Sequence, residues 1–266
     1  MDVAMRSKSK QAGAIQGMTL PQKASDLVTV VMPAFNEEEG IQDVVEGFRS
    51  LAVVAEVVVV DNNSRDRTAE KAKRAGARIV NEEKQGYGYA CRRALLECKT
   101  EWALLVESDK TFRPGDINKF LAYTDSFDCI FGTRTSRTCI WEGANMGYFL
   151  RYGNCAVGKY LEYLHNGPCL TDVGCSYKMI RRDVIADISQ FWEVGDSAFS
   201  PELMILCIRR GWGCVEIPVH YGNRVGVSKI TGSFGKAFCL GLRMIGLITK
   251  YRFRTIATAA INDRRD

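Results

Sequence analysis

A repeating order of segments constrains the fold of this chain more than any other feature of its sequence. From residue 27 onwards, a short apolar run is followed by a polar loop and then by a stretch with helical spacing, and this order recurs. Continuous apolar runs are typical of strands that are buried on both faces of a parallel sheet. The alternation therefore predicts an α/β fold with one mostly parallel sheet flanked by helices.

The same patterns place the individual elements. Strands are predicted at residues 27–32, 56–60, 77–80, 102–106, 129–132, 176–180 and 214–219. Helices are predicted at residues 37–51, 66–75, 86–98, 116–123 and 201–210. Residues 141–170 are rich in glycine, asparagine and aromatic side chains, and we interpret them as a segment that forms part of a pocket.

The two ends differ in composition from the rest of the chain. Residues 1–25 are polar and without period, which predicts a disordered leader before a folded domain at residues 26–232. Residues 233–266 are predicted to form a C-terminal amphipathic helix and a basic tail. The apolar stretch at 234–249 is interrupted by Arg243 and is shorter than the roughly 20 residues that span a bilayer. It is interpreted either as a helix lying in a membrane surface or as a helix packed on the core.

Charge and cysteine content narrow the class of protein. The net charge of +5 is modest and no recognition motif is present, so a nucleic-acid partner is not expected. Basic residues near both ends suit an anionic partner, such as a phosphate or a lipid head group, or serve solubility alone. The ten cysteines include no C-x-x-C pair, which argues against a zinc site and favours buried thiols in a reducing compartment. Since no signal peptide is visible either, a cytoplasmic protein is expected.

Polar loops follow four of the predicted strands. The carboxyl ends of parallel strands meet at one edge of a sheet, where α/β proteins bind their ligands. Four stretches are predicted to lie there together: Pro33–Glu37, Asp61–Ser64, Glu107–Asp109 and Thr133–Arg134. The sequence therefore predicts one binding site built from these loops.

Glu107 and Asp109 are the candidate metal ligands at this edge. Residues two apart on an extended segment point the same way, so their carboxylates can share one divalent cation. Mg²⁺ prefers shells of carboxylate, phosphate and water, and a bound diphosphate would complete such a shell. The alternative is that the two acids are simply the solvated loop at the end of a strand.

Asp61 and the loop around Phe35 offer groups that suit a nucleotide. The Asp61 carboxylate can accept hydrogen bonds from a base or a ribose, and Phe35 offers an aromatic face. Each residue also has a structural interpretation, since Asp61 can support the turn that caps the next helix and Phe35 can belong to the core.

Gly86 and Gly88 open a predicted helix and partly match a dinucleotide-binding fingerprint. The third glycine of that fingerprint is missing, because its position is Cys91, and the segment does not follow the first strand. A nicotinamide enzyme is therefore not favoured. We interpret Gly86 instead as a nucleotide-binding position, where the backbone can approach a phosphate or a base.

The second half of the chain adds candidate catalytic and phosphate-binding residues. Asp172 and Glu202 could each act as a general base, whereas the lone His165 and His220 are interpreted as structural. The loop Arg224–Lys229 is basic and contains glycine, which suits either phosphate recognition or a solvated surface.

Taken together, eight motifs resemble family 2 glycosyltransferases with the GT-A fold. In chain order they are "VVMPAFNEEEGI", "EVVVVDNNSRDRTAE", "GYGYACRRAL", "LLVESDKTFRP", "DCIFGTR", "TDVGCSYKMIRRDV", "SPELMILCIRRGWGCVEIPV" and "RVGVSK". The similarity covers about Val28 to Lys229, and the closest branch looks like dolichyl-phosphate mannose synthase and related polyprenyl-phosphate glycosyltransferases. It implies a GT-A type fold with a single Rossmann-like sheet.

The resemblance also implies roles for individual residues. The base and ribose of a nucleotide would be held by Pro33, Phe35, Glu37 and Asp61. A divalent metal on the diphosphate would be held by Asp109 with Glu107. The sugar and the reaction centre would be lined by Asp172 and Glu202. Donor or acceptor phosphates would be contacted by Arg134, Arg224 and Lys229.

Three positions depart from the pattern of that family. The family usually has aspartate where this chain has Glu107, and it often has glutamine where this chain has Thr111. Its Thr-Ser-Gly-Phe-Arg segment appears here as Gly174-Cys175-Ser176-Tyr177-Lys178.

The expected function is inverting transfer of a hexose from a nucleotide-diphosphate sugar, UDP- or GDP-linked, to a polyprenyl phosphate, with Mg²⁺ or Mn²⁺ as cofactor. A peripheral contact with the cytoplasmic face of a membrane would accompany a lipid acceptor. Two alternatives stay open at this point. One is a soluble or glycan hydroxyl acceptor, and the other is a nucleotide-sugar-binding protein with impaired catalysis.

Overall fold

A computed structural model describes residues 28–140, 147–223 and 234–256 of the chain. Within these residues, seven strands form one sheet: β1 (Val28–Ala34), β2 (Val54–Asp61), β3 (Arg78–Asn81), β4 (Trp102–Leu105), β5 (Cys129–Thr133), β6 (Lys178–Arg181) and β7 (Cys214–Pro218). The helices are α1 (Ile41–Arg49), α2 (Thr68–Arg74), α3 (Tyr87–Leu96), α4 (Ile117–Leu121), α5 (Tyr148–His165), α6 (Arg182–Ile188), α7 (Phe199–Arg209) and α8 (Phe234–Phe253).

The strand order places the site. It is β3-β2-β1-β4-β6-β5-β7, and every neighbouring pair is parallel except the two that involve β6. Because β6 runs against its neighbours, its amino end lies at the edge where the other strands have their carboxyl ends. The segment that leads into β6, which contains Asp172, therefore reaches the same edge as the loops after β1, β2, β4 and β5. The predicted mostly parallel α/β sheet is confirmed.

Alternating residues of the strands face two separate cores. On β1, Val31 packs into a core formed with α3, α5, α6, α7 and α8, whereas Val30 and Met32 pack into a core with α1, α2 and α4. All seven residues of β1 are buried, as expected for a strand covered on both faces. Two covered faces leave the edges and ends of the sheet as the places where a ligand can approach.

One strand differs from the sequence prediction, and two helices were not predicted. Pro33 does not break β1 but lies inside it, paired with Val60. The neighbour β4 pairs with β1 only as far as Val31, so the missing N–H of Pro33 falls beyond that ladder. Residues 141–170, which carried no predicted element, contain α5, and α6 was likewise not predicted. The predicted leader at residues 1–25 lies outside the described residues.

Candidate active site

A cavity of about 670 Å³ opens at the carboxyl ends of the strands. Its polar end is lined by residues from the predicted edge loops: Pro33, Phe35, Glu37, Asn62, Glu107, Asp109 and Arg134. The rest of its lining consists mostly of apolar residues of α5 and α8, which form its apolar end. The sequence prediction that the edge loops come together is confirmed by this cavity.

The two candidate metal ligands follow β4 directly, and both line the cavity. Asp109 is buried, and its Oδ1 accepts hydrogen bonds from the backbone N–H of Thr111 (3.1 Å) and from the Thr111 hydroxyl (2.5 Å). The turn requires a left-handed backbone at Lys110 (φ 65°). Thr111 thus orients the carboxylate, while no three His, Cys, Asp or Glu side chains of the described residues form a complete metal cage. Two carboxylates need the oxygens of a diphosphate and water to complete a shell, which fits Mg²⁺ or Mn²⁺ bound together with a nucleotide.

Hydrogen bonds join the loop after β1 to the loop after β2. The backbone N–H of Asn36 donates to Ser64 Oγ (3.0 Å), and that of Glu37 donates to Thr68 Oγ1 (2.8 Å). Asp61 Oδ2 accepts the N–H of Ser64 (3.3 Å), which is the turn-supporting bond weighed from the sequence. These bonds hold the candidate nucleotide-binding loops in a fixed position relative to each other.

The other oxygen of Asp61 is the one that fits a ligand. Asp61 is 9% exposed, and among the described residues its Oδ1 finds no hydrogen-bond partner. A buried carboxylate oxygen without a donor is unfavourable, so a base or ribose N–H or O–H would satisfy it. The predicted roles of Pro33, Phe35, Glu37 and Asp61 stay predictions, but all four lie at or beside the polar end of the cavity.

Gly86 lies apart from the other candidate nucleotide-binding residues. It does not line the main cavity but a second one of about 550 Å³, and it has φ 152°. A Cβ on Gly86 would lie 2.4 Å from the carbonyl oxygen of Gly195, and a Cβ on Gly88 would lie 2.6 Å from the Gly195 carbonyl carbon. The glycines therefore allow the start of α3 to pack directly on the segment before α7. The structure gives no support to Gly86 as a nucleotide contact.

Arg134 and Asp172 form a buried bidentate ion pair. Arg134 Nε donates to Asp172 Oδ2 (2.8 Å) and Nη2 donates to Oδ1 (2.9 Å), while the backbone N–H of Arg134 also donates to Oδ2 (3.0 Å). Burial raises the pKa of Asp172, but the charge and hydrogen bonds of Arg134 outweigh it, so the pKa is lowered from its ordinary value. Asp172 is 0% exposed and fully engaged, which makes it a poor general base and a good support for Arg134.

A second layer of polar groups holds the Asp172 segment. Glu216 on β7 accepts the N–H groups of Thr171 (2.8 Å) and Asp172 (2.9 Å) and the Thr171 hydroxyl (2.6 Å). Lys178 on β6 is fully buried and donates to Ser200 Oγ (2.8 Å) and to the carbonyl of Cys175. Burial lowers the pKa of Lys178 and raises that of Glu216. The segment is thus fixed from both sides.

Glu202 also departs from its predicted place at the reaction centre. It is 0% exposed and is not part of the cavity lining. Its carboxylate accepts the N–H groups of Glu193 (2.9 Å) and Val194 (3.1 Å) and the hydroxyl of Tyr251 (2.6 Å). The side chain faces the junction of α7 and α8, so direct contact with a sugar is not supported.

Tyr221 is a site residue that the sequence analysis missed. It lines the cavity, and the Arg134 guanidinium carbon lies 5.2 Å from its ring centroid. Burial raises the pKa of Tyr221, and Glu107 and Asp109 raise it further while Arg134 lowers it. The sequence could have indicated Tyr221, because this residue follows β7 as the other cavity-lining residues follow their strands.

The remaining predicted residues can be placed briefly. His165 Nε2 contacts the carbonyl of Ile248 (3.0 Å), and burial lowers its pKa. His220 Nδ1 contacts Asp116 (2.7 Å), so both histidines have structural partners, as interpreted from the sequence. Arg224 and Lys229 lie outside the described residues, and their phosphate-binding roles stay predictions.

Helices α5 and α8 form the apolar end of the cavity. They contribute Leu150, Gly153, Ala156, Val157, Ala237, Phe238, Leu240, Gly241, Leu242, Met244 and Ile245. Phe238 and Leu242 are 51% and 55% exposed, so this wall continues onto the surface as an apolar rim. No helix among the described residues has the length and apolar character needed to cross a membrane.

Comparison with known proteins identifies the class to which this fold and site belong. Residues 29–189 match the family model described as glycosyl transferase family 2. An uncharacterized glycosyltransferase of Mycobacterium bovis is 34% identical over 218 residues, covering 79% of this chain and 92% of that protein. A dolichyl-phosphate hexose transferase of Haloferax volcanii is 33% identical over 232 residues, covering 86% of this chain and 97% of that protein. The chain therefore belongs to glycosyltransferase family 2 and is a glycosyltransferase, which confirms the resemblance seen in the sequence.

Solved structures confirm the fold. Glucosyl-3-phosphoglycerate synthase of Mycobacterium tuberculosis, crystallised with Mn²⁺, UDP and glucosyl-3-phosphoglycerate, superposes with a TM-score of 0.67 at 18% identity. The match covers 88% of this chain and 83% of that one. The same protein crystallised with Mg²⁺ and UDP gives a TM-score of 0.66. The chain therefore has the GT-A type fold.

Proposed function

We propose that this glycosyltransferase moves a hexose from a nucleotide-diphosphate sugar to a polyprenyl phosphate. The observation that carries the proposal is the division of the cavity into two chemically different ends. Carboxylates and an arginine line one end, and the apolar walls of α5 and α8 line the other. An acceptor with a phosphate head and a hydrocarbon chain matches both ends at once. The similarity to the Haloferax dolichyl-phosphate hexose transferase supports the same acceptor.

The donor would occupy the polar end. Asp61 and the loop around Phe35 would hold the base and ribose of either a UDP- or a GDP-sugar. Glu107 and Asp109 would hold Mg²⁺ or Mn²⁺ against the diphosphate. The glucosyl-3-phosphoglycerate synthase of the same fold was crystallised with UDP and Mn²⁺ or Mg²⁺, which supports this arrangement. The cation would supply charge neutralisation for the departing diphosphate.

The acceptor would need no strong base. A phosphate monoester has its second pKa near 6, so it is largely ionised at neutral pH and can attack the anomeric carbon as the bond to the diphosphate breaks. The donor sugar is transferred with inversion in this single displacement. Two observations support this mechanism: Asp172 is already bound to Arg134, and Glu202 is not part of the cavity lining. Arg134 would contact an acceptor or donor phosphate while Asp172 fixes its orientation.

The apolar rim would rest on the cytoplasmic face of a membrane. Phe238, Leu242 and Ile245 lie on one stretch of α8 beside the cavity mouth and are exposed, and Tyr148 and Tyr152 are exposed on α5. A peripheral contact of this kind would let a polyprenyl chain enter the cavity from the lipid.

The test is a transfer assay with three acceptors and a panel of radiolabelled UDP- and GDP-hexoses, with Mg²⁺ or Mn²⁺. A polyprenyl phosphate in detergent, 3-phosphoglycerate and a simple glycoside represent the lipid phosphate, the small phosphate and the hydroxyl acceptor. The proposal expects a lipid-extractable, acid-labile product with the polyprenyl phosphate alone. Product with the glycoside or with phosphoglycerate, and none with the lipid, would contradict it. Nucleotide binding without any product would favour a binding protein.

A further inference from the structure

The buried carboxylate of Glu202 is a meeting point of four elements. It lies on α7 and accepts the N–H groups of Glu193 and Val194 (2.9 and 3.1 Å) from the segment before α7. It accepts the hydroxyl of Tyr251 (2.6 Å) from α8, and Arg92 of α3 lies 3.6 Å from its Oε2. Side chains and backbone from α3, α7, α8 and the preceding segment are thus held by one group that no solvent reaches.

The ion pairs that link α8 and the residue after it to that segment have side chains more exposed than Tyr251 and Glu202. Arg243 of α8 pairs with Asp196. Lys250 pairs with Glu193 (2.7 Å), and Arg254 pairs with the same carboxylate (3.2 Å). The Lys250 side chain is 61% exposed, and solvent-exposed ion pairs contribute little. Tyr251 is fully buried, so its bond to Glu202 is shielded from competing water.

The position of this bond along α8 gives it a consequence for the cavity. Ile245 is the last residue of α8 in the cavity wall, and Tyr251 lies six residues beyond it, about 9 Å along the helix axis. A continuous helix transmits a shift or rotation at Tyr251 to Phe238 and Leu242. On the other side, Arg92 belongs to the helix that supplies Tyr87 to the donor end.

We propose that Glu202 and Tyr251 form a buried joint that sets the position of α8 as the wall of the acceptor half of the cavity. The inference rests on the proposed function, because it takes the α5–α8 end to hold the acceptor. Glu202 and Tyr251 are positioning residues in this account, since neither touches the substrate. Through its contact with Arg92, the joint also fixes the position of the acceptor wall relative to the donor end.

The variant Tyr251→Phe tests the joint, because it removes the hydroxyl and keeps the ring that fills the core. We expect the KM for polyprenyl phosphate to rise about tenfold, while the KM for the donor and kcat stay within twofold. Hydrogen–deuterium exchange of residues 234–249 should become faster. Tyr123→Phe is the matched control, because Tyr123 is an exposed tyrosine outside the cavity.

A second pair of variants guards against simple unfolding. Glu202→Gln keeps an oxygen that can accept the Tyr251 hydroxyl, so it should retain a lower acceptor KM and slower exchange in α8 than Glu202→Ala. Equal effects of the two substitutions would contradict a hydrogen-bonded joint.

The two measurements separate the possible failures. Unchanged exchange in α8 of Tyr251→Phe overturns the joint, and faster exchange with an unchanged acceptor KM overturns its role in positioning the acceptor. If the wild-type protein transfers nothing to polyprenyl phosphate, the proposed function fails, and with it the acceptor role of α8. The exchange measurement would then still decide whether the joint itself holds α8.

Discussion

At the scale of single residues, Asp109 shows how the fold prepares a carboxylate for a cation. Thr111 donates two hydrogen bonds to Oδ1, and the left-handed backbone at Lys110 turns the chain so that this is possible. Thr111 therefore acts by orienting the neighbouring acid.

We expect Asp109→Asn to reduce glycosyl transfer by roughly 100-fold or more, because several kcal/mol of charge stabilisation on the departing diphosphate would be lost. The rate should also lose its dependence on Mn²⁺ or Mg²⁺. Initial rates over a metal titration measure both effects. Asp125→Asn, at an exposed loop position, is the control. A variant at Asp109 with the wild-type rate would show that the metal assignment is wrong.

The Arg134–Asp172 pair is a second residue-scale feature with a measurable consequence. Asp172→Asn leaves the buried guanidinium without its counter-charge, so we expect a loss of roughly 3–5 kcal/mol in the free energy of unfolding at pH 7. Adding Arg134→Gln should recover part of this loss, since no unpaired charge then stays buried. Urea unfolding of the single and double variants measures both.

The pH dependence of that loss follows from the lowered pKa of Asp172. A carboxyl whose folded pKa lies below its ordinary value of 3.8 binds fewer protons in the folded state. Its contribution is therefore complete above about pH 4 and disappears as the pH falls through the folded pKa. The stability difference between wild type and Asp172→Asn should shrink in this acidic range. A constant difference down to pH 2 would contradict the ion-pair account.

The sequence predicted residues at strand ends better than it predicted buried ones. Glu107, Asp109 and Arg134 were predicted to lie together because each follows a buried apolar run and strand ends converge in a parallel sheet, and all three line the cavity. Glu202 was misplaced because the side of a helix on which a carboxylate lies depends on packing partners far away in the chain.

At the scale of elements, α3 and the segment before α7 make an unusually close backbone contact through Gly86, Gly88 and Gly195. We expect Gly88→Ala to lower the free energy of unfolding by about 1–3 kcal/mol, because the added Cβ would lie 2.6 Å from Gly195 and 2.8 Å from Asp196. This cost should exceed the gain of up to about 1 kcal/mol in helix propensity. Gly115→Ala, where a Cβ meets nothing within 4 Å, is the control in urea unfolding. A more stable Gly88→Ala protein would contradict the contact.

Helices α5 and α8 present the apolar rim. We expect the pair Phe238→Ser and Leu242→Ser to weaken binding to anionic phospholipid vesicles roughly 30-fold, since each half-exposed side chain contributes about 1 kcal/mol on burial in lipid. Vesicle co-sedimentation measures the partition coefficient. Leu96→Ser removes an equally exposed leucine from α3 and serves as the control. Equal effects at Leu96 and at the rim would argue against a defined contact face.

Helix α5 shows why one element escaped the sequence analysis. Its glycines and aromatic residues have weak helix propensity, and Gly158 is needed for packing. A Cβ there would lie 3.1 Å from the carbonyl oxygen of Leu170. Tertiary contact with α8 and with the segment before β6 therefore overrides local preference, and such contact is not visible in a single sequence.

At the scale of the whole molecule, the cavity joins loops from most of the sheet, so a ligand that fills it should stabilise the entire domain. At about 100 times its dissociation constant, a nucleotide sugar adds roughly 2.7 kcal/mol, which corresponds to a rise of about 5–10 °C in Tm. We expect this rise with UDP- or GDP-sugars only when Mg²⁺ or Mn²⁺ is present. Thermal unfolding with each nucleotide, with metal and with EDTA, measures it. Equal shifts in EDTA would contradict the assignment of Glu107 and Asp109 to the donor site.

The order of strands in the sheet also bears on how such enzymes diversify. The loops that would hold the donor come from one uninterrupted stretch, β1 to β4, whereas α5, β6, α7 and α8 follow it in the chain and build the acceptor side. Under the proposed function, the two specificities are thus inherited as consecutive modules. An exchange of the residues after β4 between two relatives would therefore change which molecule receives the sugar, while the nucleotide that carries the sugar stays the same.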